Sequence, residues 1–339
     1  MIFQYKIFIY CLPLLIFFLL RKDDRKQYAI HGYAQGTDYS IKYFAKDSVV
    51  TKGAVDSILL VIDSSMSLYK PYSLINRLNE SSAGLTVDPH FVKVIKKSIE
   101  ISKATGGIFD ATVKPLVQAW GFGSKPILAF PDSTTVKQIM SCVGMQYLTL
   151  NGSFVKKAKP CIQIDLNGIA QGYSVDVVAD YLIKKGIKSF VVEIGGELRI
   201  EGIKPDKSYF RIGIEGPGEK DNSTPLMKHI IQLKTGAITT SGNYQKYLQQ
   251  GSKRISHLIN AKTGYPLQNS MISVTLYAKD AITADGYDNA IMAMEPTQAL
   301  KFIEAHSGLE GYLIYKDADG RVADTLSTGF RKLIVDSKN

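Results

Sequence analysis

Apolar residues recur at every fourth position from residue 169 onward: Ile169, Tyr173, Val177 and Tyr181, with Ala170, Val178 and Leu182 beside them. That spacing predicts a helix. Lys184, Lys185 and Gly186 supply the charge and the stop expected at its C-terminal end. Residues 88–104 (DPHFVKVIKKSIEISKA) predict a second helix, with Asp88 as cap, Pro89 in the first position, and Phe91, Val94, Ile95, Ile99 and Ile101 mostly on one side. Helical spacing over 57–78 is interrupted by Pro71, so SLYKPYSLINRLN (67–79) reads as a helix end, a loop and a second short turn. Further helices are expected at 283–294, at 296–306 and, shorter, near 134–143.

Alternation marks the strands. Residues 28–44 predict one strand bent near Gly32 and Gly36, and 189–200 a buried strand interrupted by Gly195-Gly196, where a bulge or a close ligand is expected. Residues 272–277 form another, 147–155 a hairpin turned at Asn151-Gly152, and 255–259 a strand carrying His257 before a turn at Lys262-Thr263-Gly264. Residues 203–229 hold one strand and a polar Gly/Pro loop, and two strands follow residue 306, with DTLSTGF (324–330) read as part of the last. Thr105-Gly-Gly stops the helix before it, Pro115 is expected to prevent a regular helix through 105–123, and Trp120 is a core or loop anchor. With no repeat and no low-complexity linker, the pattern predicts one integrated α+β unit.

The chain has 339 residues, 45% hydrophobic and 21% charged, enough for a large core. The net charge is +10, and outside residues 1–26 the basic excess is spread thinly. It favours anionic ligands or lipid. No nucleic-acid motif accompanies it. Residues 7–20 are a run of 14 mostly apolar residues after Lys6, followed by RKDDRK. The run suits a signal peptide; extended back to Ile2 it also suits an uncleaved anchor, and no small-x-small cleavage site follows it. Cys11, preceded by Phe-Ile-Tyr, does not fit a lipoprotein site. The expectation is export to the periplasmic, extracytoplasmic face of the inner membrane, with the membrane held through the N-terminus, and a division into 1–26 and 27–339. Of the remaining cysteines, Cys142 and Cys161 either pair in an oxidising compartment or stay apart, and no Cys/His cluster suggests zinc.

Two helix starts carry candidate chemistry. Around IDLNGIAQG (164–172), Asp165 and Asn167 flank the first free amides and Gly168 lets a ligand approach, so the site either attracts a phosphate or is an ordinary capped surface helix. In the helix opening at Thr283, Asp285, Asp288 and Asn289 stand at i, i+3 and i+4, on one face of an expected first turn. Those oxygens suit Mg²⁺; equally, acids in a first turn complement the helix dipole. His257 is either a structural residue or a base able to take a proton from a hydroxyl near neutral pH. Together these point to a phosphorylated aromatic ligand handled with Mg²⁺.

Eight ordered motifs then carry a resemblance: GYAQGTDYSI (32–41), SLYKPYSLINRLN (67–79), TGGIFDATVKPLVQAWGFG (105–123), IDLNGIAQGYSVD (164–176), VEIGGELRIEG (192–202), TTSGNY (239–244), SHLINAKTGYPL (256–267) and ADGYDNAIMAM (284–294). In these the chain resembles the ApbE family of FAD:protein FMN transferases over about residues 30 to 335. The resemblance implies a single α+β catalytic domain of mixed and antiparallel sheets with packed helices. It implies FAD as substrate and Mg²⁺ as cofactor, with FMN moved onto a Thr or Ser hydroxyl of an acceptor protein and AMP released. Acceptors implied are subunits of NADH:quinone reductase or Rnf-type complexes. By matching positions, Gln35, Tyr69, Ile108, Phe109, Asp110, Asp165, Gln171 and Ile259 are expected to contact FAD. Gly168 through its carbonyl, Asp285 and Asn289 are expected to hold the metal with Asp288 beside them, and His257 and Asp285 to be catalytic. Gln35, Gln171 and Asn289 stand where the family commonly has Met, Lys and Thr. Alternatives carried forward are a FAD pyrophosphatase giving FMN and AMP, and a non-catalytic FAD-binding protein.

Overall fold

The computed structural model describes residues 23–217, 226–242, 247–250 and 253–335. The apolar run at 7–20, part of the polar loop (218–225) and the Asn243-Tyr244 end of TTSGNY lie outside them. The organising element is an eight-stranded sheet in which every pairing is antiparallel and spatial order follows chain order. Its strands are β1 (Lys26–Ala34), β2 (Thr37–Ala45), β3 (Phe190–Ile194), β4 (Glu197–Glu201), β5 (Thr235–Gly242), β6 (Met271–Ala278), β7 (Glu310–Lys316) and β8 (Val322–Leu326). Four longer helices lie between them: α1 (Lys52–Met66), α2 (Pro89–Ala104), α3 (Ala170–Lys184) and α4 (Ala281–Ile291). The α+β expectation holds.

Glycine position separates the expected strands from the observed ones. The run at 28–44 is a hairpin rather than one bent strand, because Gln35 (φ 55) and Gly36 (φ 80) take the left-handed turn that a two-residue hairpin requires. The run at 189–200 is likewise two strands, β3 and β4, turned at Gly195 (φ 61) and Gly196 (φ 106), not one bulged strand. Pro115 does not prevent a helix in 105–123; it sits in the first turn of Lys114–Ala119, where its missing N–H has no partner to lose. His257 lies in a bend after the strand Lys253–Ser256, not within it. Residues 324–330 split between β8 and a short helix, Thr328–Arg331. Helix α2 starts as expected, its Asp88 side chain accepting from the Phe91 amide.

The sheet buries apolar side chains on both faces. On one, Tyr39, Ile41 and Val192 pack against Val55 and Leu59 of α1 and Val175 and Val178 of α3. The neighbouring and largest cluster joins Phe91 and Val94 of α2 to Val274 and Leu276 of β6 and to Ile282 and Ile291 of α4. On the other face Ile200, Ile238 and Ile314 pack under the ribbon of Phe210–Gly216 and Leu226–Leu233. Buried Asn79 acts as a backbone surrogate, giving its Nδ2 to the Ile164 carbonyl (2.9 Å) and taking the Ile164 amide on Oδ1 (2.6 Å). This holds the segment that enters α3.

Cys142 and Cys161 are bonded, 19 residues apart. The link ties the turn that follows the helix Ser133–Met140 to the turn that enters that segment. Replacing both by serine is expected to cost about 3 kcal/mol of stability through the freed loop. Urea unfolding should show it, with dithiothreitol lowering the midpoint of the native protein alone; equal midpoints would mean the bond restrains nothing.

Candidate functional site

Helices α3 and α4 run against each other along a seam in which both contribute every fourth residue. At its centre Gly172 gives its amide to Asp285 Oδ2 (2.8 Å). A Cβ on Gly172 would stand 2.3 Å from the Ala281 carbonyl oxygen and 2.7 Å from the Asp285 Cβ, so only glycine permits this approach. One turn toward the C-terminus of α3, Asp176 takes the Ala281 and Ile282 amides on its two oxygens (3.0 and 2.9 Å). One turn the other way, the Asn289 amide nitrogen reaches the Gly168 carbonyl (3.3 Å). The pairs 168/289, 172/285 and 176/281 form one antiparallel register. Each helix start is thus capped by a carboxylate of the other, an arrangement favoured by the partial positive charge at both ends.

This arrangement corrects two expectations. The start of α3 is not an open phosphate cradle: Ile169 and Ala170 donate to the Leu166 carbonyl and the Gly172 amide is taken by Asp285. Asp165 turns inward onto the Asn167 amide (2.8 Å) instead of capping the helix. Nor do the acids of α4 lie in a first turn. The helix opens at Ala281, capped by Asp280, and Asp285 and Asp288 lie beyond that turn with only 3% and 1% of their surface exposed. Acids that merely complement a dipole stay in water, so their burial favours the metal reading.

Four oxygens or their equivalents meet here. Asn289 Nδ2 contacts the Gly168 carbonyl, Asp285 Oδ1 (3.3 Å) and Asp288 Oδ1 (3.0 Å), the place a cation would occupy among them. Turning the amide over would present Asn289 Oδ1 to the same point. Ser241 of β5 donates to Asp288 Oδ1 (3.0 Å). Burial pushes the Asp285 carboxyl up to about 7; the Gly172 amide opposes this and the Asp176 charge adds to it. Burial, then the Asp285 charge, holds Asp288 well above the usual carboxylate range. Glu197, which sequence reasoning missed, is a third acid within electrostatic reach, raised by burial and by both aspartates. Among the described residues no three His, Cys, Asp or Glu side chains cluster tightly enough to hold a metal by themselves. A carbonyl, an amide oxygen and two carboxylates nevertheless fit Mg²⁺, a hard cation that keeps part of its water shell.

The other expected residues fall into two groups around the seam. Gln171 donates to Glu197 Oε2 (2.6 Å) and to the Ile194 carbonyl (2.9 Å), and a Cβ on Gly195 would meet both Gln171 and Thr37. The seam therefore adjoins the β1–β2 turn that carries Gln35. Gln35 and Lys70 both act on buried Asp63, bringing that turn to the loop of Tyr69. Tyr69 is 70% exposed, its ring open for stacking. In the second group the Asp165 amide bonds to the Ala111 carbonyl (2.8 Å), which sets Asp110 and Asp165 on adjacent segments. Asp110 holds the Thr112 and Met145 amides, Phe109 is buried in the main core and Ile108 packs beside it, so these three brace the loop. Trp120 gives its indole N–H to the Gly264 carbonyl (2.8 Å), Ile259 joins the Trp120 cluster, and His257 stands edge-on to Phe122 at 6.3 Å. Loops 105–123 and 255–267 thus form one wall, three residues of chain from the seam at Gly168.

The ApbE family model matches residues 35–313. The chain belongs to the ApbE family. Over 305 residues it is 36% identical to the FAD:protein FMN transferase of Vibrio cholerae serotype O1, covering 87% of this chain and 89% of that protein. The FAD:protein FMN transferase of Haemophilus influenzae is 32% identical over 328 residues, 92% of this chain and 93% of that one. Among solved structures, the flavin transferase ApbE from Vibrio cholerae superposes with a TM-score of 0.82 at 33% identity, covering 91% and 99% of the two chains. The apo flavinyl transferase ApbE of Pseudomonas stutzeri also reaches 0.82, at 31% identity and 91% and 97% coverage. In this ApbE protein, Asp285 and Asp288 were legible from their spacing. Gly172, Asp176, Ser241 and Glu197 were not, although Gly172 and Asp176 repeat the same four-residue interval.

A carboxyl raised on folding destabilises the protein as pH climbs from its unfolded to its folded value, here from 3.8 to about 7. Without divalent cations, melting temperature is expected to fall as pH rises through that window. Asp288→Asn should flatten the fall, because it removes a second carboxyl that folding raises; parallel curves for both proteins would contradict this account.

Proposed function

We propose that the protein is a Mg²⁺-dependent FAD:protein FMN transferase that moves FMN from FAD to a Thr or Ser hydroxyl of an acceptor and releases AMP. The observation that carries the reading is the convergence of the Gly168 carbonyl, Asp285 and Asp288 on the Asn289 amide, in a chain of the ApbE family. Family relatives named for this transfer support it. The Gly168 carbonyl, Asp285, Asp288 and the Asn289 amide oxygen would hold Mg²⁺. Bound there, the ion would neutralise pyrophosphate charge and help AMP to leave. Tyr69 stacks on a ring of FAD, and the loops of Gln35, Ile108, Asp110, Asp165, Gln171 and Ile259 orient the dinucleotide. His257 takes the proton of the acceptor hydroxyl as that oxygen bonds to the FMN-side phosphorus and the bond to the bridging oxygen breaks.

The acceptors in this reading are subunits of NADH:quinone reductase or Rnf-type complexes. Residues 1–26 serve export, as a signal peptide or as an uncleaved membrane anchor, and 27–339 form the catalytic unit at the periplasmic face. The Cys142–Cys161 bond supports an oxidising compartment, and the apolar run at 7–20 supports export.

Incubation with FAD, Mg²⁺ and an acceptor fragment is expected to yield covalent flavin, read by in-gel fluorescence. His257→Ala and Asp285→Ala should each lower the rate about a hundredfold or more. Free FMN and AMP formed at full rate without acceptor would make the protein a pyrophosphatase, and unchanged FAD would make it a binding protein.

A further inference from the structure

The α3–α4 seam carries its cation oxygens from its middle to the Gly168 end, and at the other end a carboxylate that takes three hydrogen bonds. At the middle the two helices touch closely at Gly172, and one bond, from the Gly172 amide to Asp285 Oδ2 (2.8 Å), spans them. At the Gly168 end the link between the helices is a single amide contact of 3.3 Å. At the opposite end the buried Asp176 carboxylate takes two helix-start amides at 3.0 and 2.9 Å and the Arg199 guanidinium at 2.9 Å. Arg199 also holds Asp180 (3.1 Å) and stands on β4, the strand that begins with Glu197. One charged group therefore joins α3, α4 and the sheet.

We propose that Asp176, backed by Arg199, is a positioning residue for the cation site, acting through α4 from one to two helical turns, about 6 to 12 Å, away. The inference rests on the Mg²⁺ reading given above. Loss of the carboxylate orphans the Ala281 and Ile282 amides in a buried place. Helix α4 then relieves them by turning or sliding. A slide of one residue is about 1.5 Å, far beyond the few tenths of an ångström that metal–oxygen distances tolerate. Asp285 and Asn289 ride on the same helix and leave the Gly168 carbonyl together.

The test is calorimetric titration of Mg²⁺ into FAD-free protein, well below its melting temperature, for the native chain, Asp176→Asn and Arg199→Gln. Asp176→Asn is expected to weaken Mg²⁺ binding roughly tenfold to a hundredfold, the range seen for groups that orient metal ligands, with Arg199→Gln weaker by a smaller factor. Saturating Mg²⁺ should restore kcat in both. A purely structural role would lower the melting temperature and leave the Mg²⁺ affinity of the folded protein unchanged, and that result overturns the proposal. Should Asp176→Asn fail to fold, Arg199→Gln decides, with unchanged affinity again overturning it. If the native chain itself binds no Mg²⁺, the cation reading fails first, which distinguishes the two failures.

Discussion

The structure depends on a close approach between two helix starts. Gly172 lets α4 come near enough for Asp285 to reach a backbone amide of α3, and Asp176 returns the same service to α4. A capping carboxylate is usually a surface device, worth about 1 kcal/mol to its own helix. Here the caps are exchanged between elements 113 and 105 residues apart in sequence. Capping and tertiary registration are therefore the same set of bonds. Removing any one of them loosens both helices.

The approach also creates the chemistry. Two aspartates and, within reach, a glutamate are brought into a poorly hydrated place, where burial raises the proton affinity of all three, the Asp285 charge adds to that of Asp288, and both aspartates add to that of Glu197. Such a cluster is satisfied by protons or by a divalent cation, and the choice depends on pH. Around it the protein arranges an open tyrosine and two braced loops, with the disulfide fastening the segment that leads to Gly168. Rigid backbone below and an exposed ring above suit a ligand with a charged middle and flat ends.

Much of this was legible beforehand, residue by residue. Helix α2 announced itself through Asp88 and Pro89, and the interval from Asp285 to Asn289 placed three polar groups on one face. The misreadings share a cause. A glycine in an alternating run marks a bulge or a turn, and only the pairing of β1 with β2 and of β3 with β4 tells them apart. Pro115 similarly marks a break or a start, depending on whether its missing N–H had a partner. Separately, Phe109 and Asp110 brace their own loop, Phe109 in the main core and Asp110 by accepting from the Thr112 and Met145 amides, a role that spacing does not reveal.

Periodicity along the chain determined which segments are helices and strands, and that Asp285, Asp288 and Asn289 share a face. A separate signal, the eight ordered motifs, carried the family resemblance without any knowledge of contacts. Only the tertiary structure decided that this face is buried, that Glu197 and Asp176 stand near it, and that the start of α3 already holds an anion. Local spacing sets direction around an axis. The cost of a charge is set by what displaces its water, and that comes from residues distant in sequence.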